Sequence, residues 1–190
     1  MCGNGGRCIS NFAAELGIVD DYCRFLAIDG AHEAYIKAND WIELKMADVK
    51  EVKVGDDYFI LDTGSPHYVI FVEDIDDINV VENGQAIRYS KEFKEEGINV
   101  NFVERKANKL IVATYERGVE DETLSCGTGV TASAIAYALQ NSEVGAKEVA
   151  IQSKGGELAV RLATYEDGSF RNVWLCGKAE KVFKGEITID

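Results

Sequence analysis

The chain has 190 residues, 46% of them hydrophobic and 28% charged, the balance of a folded globular protein with a core of its own. Disorder, a collagen-like fibre and a small disulfide scaffold are excluded on that composition. Lys and Arg number 20 against 33 Asp and Glu, and the net charge of −13 repels phosphate, which disfavours nucleic acid and anionic membranes as partners.

No apolar run approaches the roughly 18 residues that span a bilayer, and the N-terminus has no hydrophobic signal region, so a cytoplasmic address is expected. The 5 cysteines are an odd number at irregular spacing. In a reducing compartment they are free thiols, candidates for chemistry rather than staples.

In chain order, a Gly-rich turn opens a helical stretch in which Ile9, Phe12, Ala13 and Leu16 recur at helical spacing and Gly17 is the stop. Strands are predicted over 23–29, 33–37 and 41–45. A second group begins around 48–54, with strands at 58–61 and 67–72 flanking the turn Thr63-Gly64-Ser65-Pro66. An acidic turn at 74–77 precedes a weakly helical 79–93, and 100–104 and 110–115 read as strands. Ser125-Cys126-Gly127-Thr128-Gly129 then opens an Ala-rich helix running to Gln140. Strands follow at 148–153, 158–163 and 173–176, with a last one at 181–183.

One echo carries chemistry. Cys2-Gly3-Asn4-Gly5 and Cys126-Gly127-Thr128-Gly129 are both C-G-x-G, and each precedes an apolar helix. Their separation is too long for a solenoid period and suits two related halves facing each other. A helix N-terminus offers unpaired N–H groups and partial positive charge, glycines let an anion reach them, and a cysteine there is favoured as its thiolate. Two such turns, facing, allow one thiolate to remove a proton from a carbon while the other thiol delivers one to the opposite face. A carboxylate held between the helix ends stabilises the carbanion, and no metal or other cofactor is needed. The bland reading of a cysteine before glycine is a small buried residue. A Cys126–His67 pair is conceivable but has no local support. No CxxC or HxxxH spacing suggests zinc, and Cys8, Cys23 and Cys176 are expected in the interior or in turns.

These motifs resemble those of diaminopimelate epimerase, an enzyme family of lysine and peptidoglycan synthesis. The resemblance rests on Met1 to Cys8 (MCGNGGRC), Gly64-Ser65-Pro66-His67, Asn99-Val100-Asn101-Phe102, Tyr115-Glu116-Arg117-Gly118, Glu122 to Gly129 (ETLSCGTG) and Val173 to Glu180 (VWLCGKAE), in that order. It implies Cys2 and Cys126 as the two acid/base thiols. It also implies substrate contacts from Gly3, Asn4, Ser65, Asn99, Glu116, Arg117, Gly127 and Thr128, with Glu116 reading an ammonium and Arg117 a carboxylate. The implied fold is α+β, two pseudo-symmetric halves, each a curled antiparallel-rich sheet around a central helix. The first half, 1–50 with 173–190, is expected to be incomplete; the second is 51–172. Family members carry a segment before the first cysteine motif, and without its strands the first helix is expected to lie partly uncovered and the N-terminus to fray.

Two departures stand out. Ser65 replaces a family asparagine before the Pro-His pair, where His67 is read as bracing the turn, and Lys178 replaces a usual proline. The implied activity is a cofactor-independent interconversion of LL- and meso-diaminopimelate. The alternatives are a catalytically impaired remnant or a related racemase of the proline or hydroxyproline type, whose substrates have no second amino-acid head for Glu116 and Arg117 to read. The expected partner is that small molecule, with no nucleic acid and no membrane; a homodimer is allowed.

Overall fold

The structure, a computed structural model, describes residues 1–142 and 144–188. Helix α1 (Gly3–Glu15) leads into a meander of β1 (Tyr22–Ala27), β2 (Gly30–Ile36) and β3 (Trp41–Lys45). Strands β4 (Lys53–Val54), β5 (Tyr58–Asp62) and β6 (Pro66–Val72) precede α2 (Val80–Arg88). The hairpin β7 (Asn99–Lys106) and β8 (Lys109–Glu116) follows, then the short β9 (Asp121–Thr123), α3 (Gly127–Gln140), β10 (Gly145–Ser153), β11 (Gly156–Thr164) and β12 (Phe170–Lys178).

All the strands join one sheet, ordered β1-β2-β3-β12-β11-β10-β8-β7-β6-β5-β4, with β9 paired to β8. The pairing is antiparallel except for β6 with β7 and β8 with β10. Each parallel pair needs a crossover, and each has a helix in it, α2 for the first and α3 for the second.

Helix α3 is apolar on every side and buried on nearly every side, as a helix without a polar face must be. It touches β5, β6, β7, β8, β10, β11 and β12, so the sheet curls around it. Ala132, Ala134, Ala136 and Ala138 keep its surface close to the backbone and allow that approach. The outer face of β7 and β8 carries α2 in a second cluster around Val100, Phe102 and Tyr115. Strand β7 is therefore buried on both faces along most of its length.

Helix α1 stops where the glycine signal says. Gly17 has φ +68°, its N–H reaches Ala14 O at 2.9 Å, and Ile18 N–H reaches Ala13 O at 2.9 Å, a Schellman closure. The packing face departs from the periodicity. The buried side consists of Gly3, Gly6, Arg7 and Ser10, while Ile9, Phe12 and Leu16 are each 56% exposed. The apolar stripe of α1 is thus uncovered, and its glycine face sits on the sheet, where a Cβ on Gly6 would lie 2.8 Å from Leu44 Cδ2.

Expectations need correction at Cys8 and at residues 181–183, and two short strands went unforeseen. The Met1 nitrogen lies 2.6 Å from Asp29 Oδ2, and the Met1 side chain packs on the core. That ion pair draws the Asp29 carboxyl down to about 2. Cys8 is exposed, because it lies off the glycine face, whereas Cys23 and Cys176 are buried. Residues 181–183 form no strand, because β12 already has β3 on one edge and β11 on the other. The two-residue β4 and three-residue β9 are too short to register as periodicity.

Gly84 of α2 is where that helix rests on the stem of the fully buried Tyr115; a Cβ there would lie 2.4 Å from Tyr115 Cβ and 2.5 Å from Cγ. Gly84→Ala gains up to about 1 kcal/mol in helix propensity and loses more to overpacking. A net destabilisation of about 1–2 kcal/mol is expected in urea unfolding, with an unchanged m-value.

Candidate active site

Cys2 and Cys126 are the N-cap residues of α1 and α3, both in extended backbone conformation. The residues after them meet. A Cβ on Gly3 would lie 3.3 Å from Gly127 Cα, and one on Gly127 would lie 3.2 Å from Gly3 Cα. Leu175 of β12 closes on the same point, its Cδ2 2.7 Å from the first hypothetical carbon and 2.8 Å from the second. Only glycine at both positions permits this approach. The first turns of two helices, with their free N–H groups and positive ends, are thereby held side by side, and neither first turn contains an acidic residue.

Asn4 fastens the two turns. Its Nδ2 donates to Ser125 O at 3.3 Å, and its Oδ1 accepts from the buried Arg7 Nη2 at 2.8 Å. Cys2 is exposed and Cys126 buried. Burial pushes the Cys126 thiol above its usual range. The Thr128 hydroxyl, 3.4 Å from the sulfur, and the Gly129 N–H oppose that, while the Glu116 carboxylate and Cys2 add to it.

Behind Cys126 lies a buried polar layer. Thr128 O accepts from Thr63 Oγ1 at 2.8 Å, and Thr128 Oγ1 is 3.1 Å from Ser65 Oγ. Ser65 Oγ also meets His67 Nε2 at 3.0 Å and Asn99 Nδ2 at 3.2 Å. Asn99 Oδ1 accepts the Arg117 N–H at 2.9 Å. The Arg117 guanidinium gives Nη1 to Glu96 O at 2.9 Å. Asn101 bridges His67, Tyr68 O and Thr114. A Cβ on Gly129 would lie 2.2 Å from Asn101 Oδ1, so α3 packs onto this layer through glycine.

Cys126, Thr128, Ser65, Asn99 and the backbone of Arg117 thus share one hydrogen-bonded network, with Glu116 beside it and Cys2, Gly3, Asn4 and Gly127 at the helix contact. A cavity of about 770 Å3 is lined by Asn4, Arg7, Cys8, Ser125 and Lys178 among others, but by neither Cys2 nor Cys126. It adjoins the helix contact through Asn4 and Ser125. Sequence reasoning missed Thr63, Asn101 and Thr114. Asn101 was legible: it stands two residues from Asn99 on a strand, hence on the same face.

The fully buried His67 is held down to about 3, chiefly by burial. An unfolded histidine titrates near 6.5, so between those values only the unfolded chain takes up the proton. Stability from this group is full above about pH 6.5 and is lost as pH falls toward 3. The urea midpoint is expected to drop through that window, and to drop less steeply in His67→Gln.

The sequence model of the family described as diaminopimelate epimerase matches residues 59–182. The diaminopimelate epimerase of Flavobacterium psychrophilum is 45% identical over 188 residues, covering 98% of this chain and 73% of that one. The Aquifex aeolicus diaminopimelate epimerase is 40% identical, covering 99% of this chain and 70% of its own. Among solved structures, a probable proline racemase from Agrobacterium radiobacter superposes with TM-score 0.72 at 16% identity, covering 100% of this chain and 68% of that one. A hydroxyproline epimerase from Agrobacterium vitis does so with TM-score 0.71 at 14% identity, covering 94% and 63%. At such identities these two speak for the fold: a curled, antiparallel-rich α+β sheet around a central helix.

Proposed function

The chain belongs to the diaminopimelate epimerase family, and from that premise we propose that it interconverts LL- and meso-diaminopimelate by moving a proton at the α-carbon between the sulfurs of Cys2 and Cys126. Membership makes it an isomerase acting on a small molecule. The thiol assignment, the independence from any cofactor, a place in lysine biosynthesis and a cytoplasmic address are our reading. The observation that carries it is the contact of Gly3 with Gly127, which sets the two cysteine-capped helix ends against each other.

In this reading the substrate's reacting carboxylate sits at the N–H groups of Gly3, Asn4, Gly127 and Thr128. Two converging helix ends draw negative charge toward that carboxylate as the carbanion forms, and so lower the acidity barrier at the α-carbon. One sulfur is thiolate and takes the α-proton; the other is thiol and returns one to the opposite face. The enzyme ends with its two protonation states exchanged. Glu116 reads the ammonium, and Arg117, whose Nη1 is already tied to Glu96 O, offers the rest of its fork to a carboxylate. Asn99 and Ser65 complete the substrate wall. Residues 1–50 with 173–190 and residues 51–172 act as the two halves; the pairing of β12 with β3 supports that grouping.

Solvent-deuterium uptake at the α-carbons of diaminopimelate, under reducing conditions, tests the reading. Cys2→Ala and Cys126→Ala are expected to lower uptake by at least about 10³-fold, the upper part of the range for losing a positioned acid or base. Cys23→Ala, in the core of β1, is expected to leave it nearly unchanged. Equal losses in all three variants would sink the role assignment, and no uptake by the folded chain would favour the impaired remnant.

A further inference from the structure

The hydrogen bonds behind Cys126 have a fixed direction, and Asn101 sets it. Its Nδ2 donates to Tyr68 O at 3.0 Å, and a carbonyl can only accept, so the same nitrogen faces His67 Nδ1 at 3.0 Å as a donor. The neutral ring then carries its hydrogen on Nε2, which points at Ser65 Oγ from 3.0 Å. Asn99 is oriented by the same logic. Its Oδ1 accepts the Arg117 N–H, and its Nδ2 gives one hydrogen to Pro66 O at 2.9 Å and the other to Ser65 Oγ at 3.2 Å.

Ser65 Oγ therefore receives two donors, which occupy both lone pairs. Its own hydrogen has one acceptor left, Thr128 Oγ1 at 3.1 Å. Thr128 Oγ1, having accepted it, turns its hydrogen to the Cys126 sulfur 3.4 Å away.

We propose that Ser65 is a positioning residue whose hydroxyl, locked by His67 and Asn99, makes Thr128 present a hydrogen rather than a lone pair to Cys126. A donor to sulfur stabilises thiolate over thiol. It works with the Gly129 N–H and against burial, the Glu116 carboxylate and Cys2, the other influences on this sulfur. Without the serine hydroxyl, Thr128 is free to rotate and to accept from the S–H instead. This assignment deepens the acid/base reading of Cys126 and rests on it.

The test is site-resolved alkylation of the reduced full chain by iodoacetamide, from about pH 6 to about pH 10, with the Cys2 and Cys126 peptides quantified separately by mass spectrometry. In Ser65→Ala the Cys126 midpoint is expected to rise by about 0.5–1 pH unit, a loss of about 3- to 10-fold in thiolate at a given pH below it. Cys2 is expected to hold its midpoint, and Ser65→Thr, which keeps a hydroxyl, to restore that of Cys126. An unmoved Cys126 midpoint in Ser65→Ala would overturn the proposal; with KM for diaminopimelate raised as well, it would leave Ser65 a substrate contact alone. An equal shift at Cys2 would also overturn it, as would a Ser65→Thr profile matching Ser65→Ala. The alkylation profile needs no turnover, so its outcome is independent of the exchange assay on Cys126→Ala, which judges the acid/base reading itself.

Discussion

Two helix N-termini in backbone contact are an unfavourable arrangement in isolation. Each carries roughly half a positive charge and a set of unpaired donors, and here Gly3 and Gly127 bring them within van der Waals distance. Much of the remaining architecture serves to hold that contact. Alanines along α3 let the sheet close tightly on one helix, glycines on α1 let the other lie flat on β3, and Leu175 of β12 wedges beneath both. On the proposed reading, the cost of juxtaposing like partial charges becomes an advantage once a carboxylate arrives, because the field it meets is already aimed and requires no reorganisation.

The polar layer behind Cys126 has the same character. His67, Asn101 and Thr114 are buried and hydrogen-bonded to one another, and every member has a defined donor or acceptor role. Such a layer in a low-dielectric interior tolerates no half-satisfied group. It therefore fixes the α3 N-terminus against β6 and β7 more sharply than apolar packing alone, and it does so next to the Cys126 sulfur.

Much of this was legible in the residues. The C-G-x-G echo located both helix starts, Gly17 located a helix end, and alternation located most strands within a residue or two. What failed did so for physical reasons. Ile9, Phe12 and Leu16 gave α1 a helical period but not its packing face, because periodicity says which residues share a side and not which side is covered. Residues 181–183 have strand-like composition, yet pairing requires a free edge, which β12 does not offer. Asn101 was passed over although its spacing from Asn99 puts both on one strand face; its partners His67 and Thr114 come from the neighbouring strands β6 and β8. Arg7, only 5% exposed, reads in sequence as a surface charge, and its burial follows from lying flat over Gly177.

The place of β12 has a consequence for how the molecule comes into being. The meander of β1, β2 and β3 precedes the rest of the sheet in sequence, yet among the described residues β3 meets that rest through β12, far later in the chain. The Leu175 wedge beneath the two glycines belongs to that same strand. A nascent chain therefore has both thiol-bearing turns before it has the element that brings them together, and closure must span the long stretch between β3 and β12. Assembly of the paired turns accordingly waits on β12. Loss of that strand, by nicking or premature termination, should abolish the paired turns outright rather than weaken them by degrees.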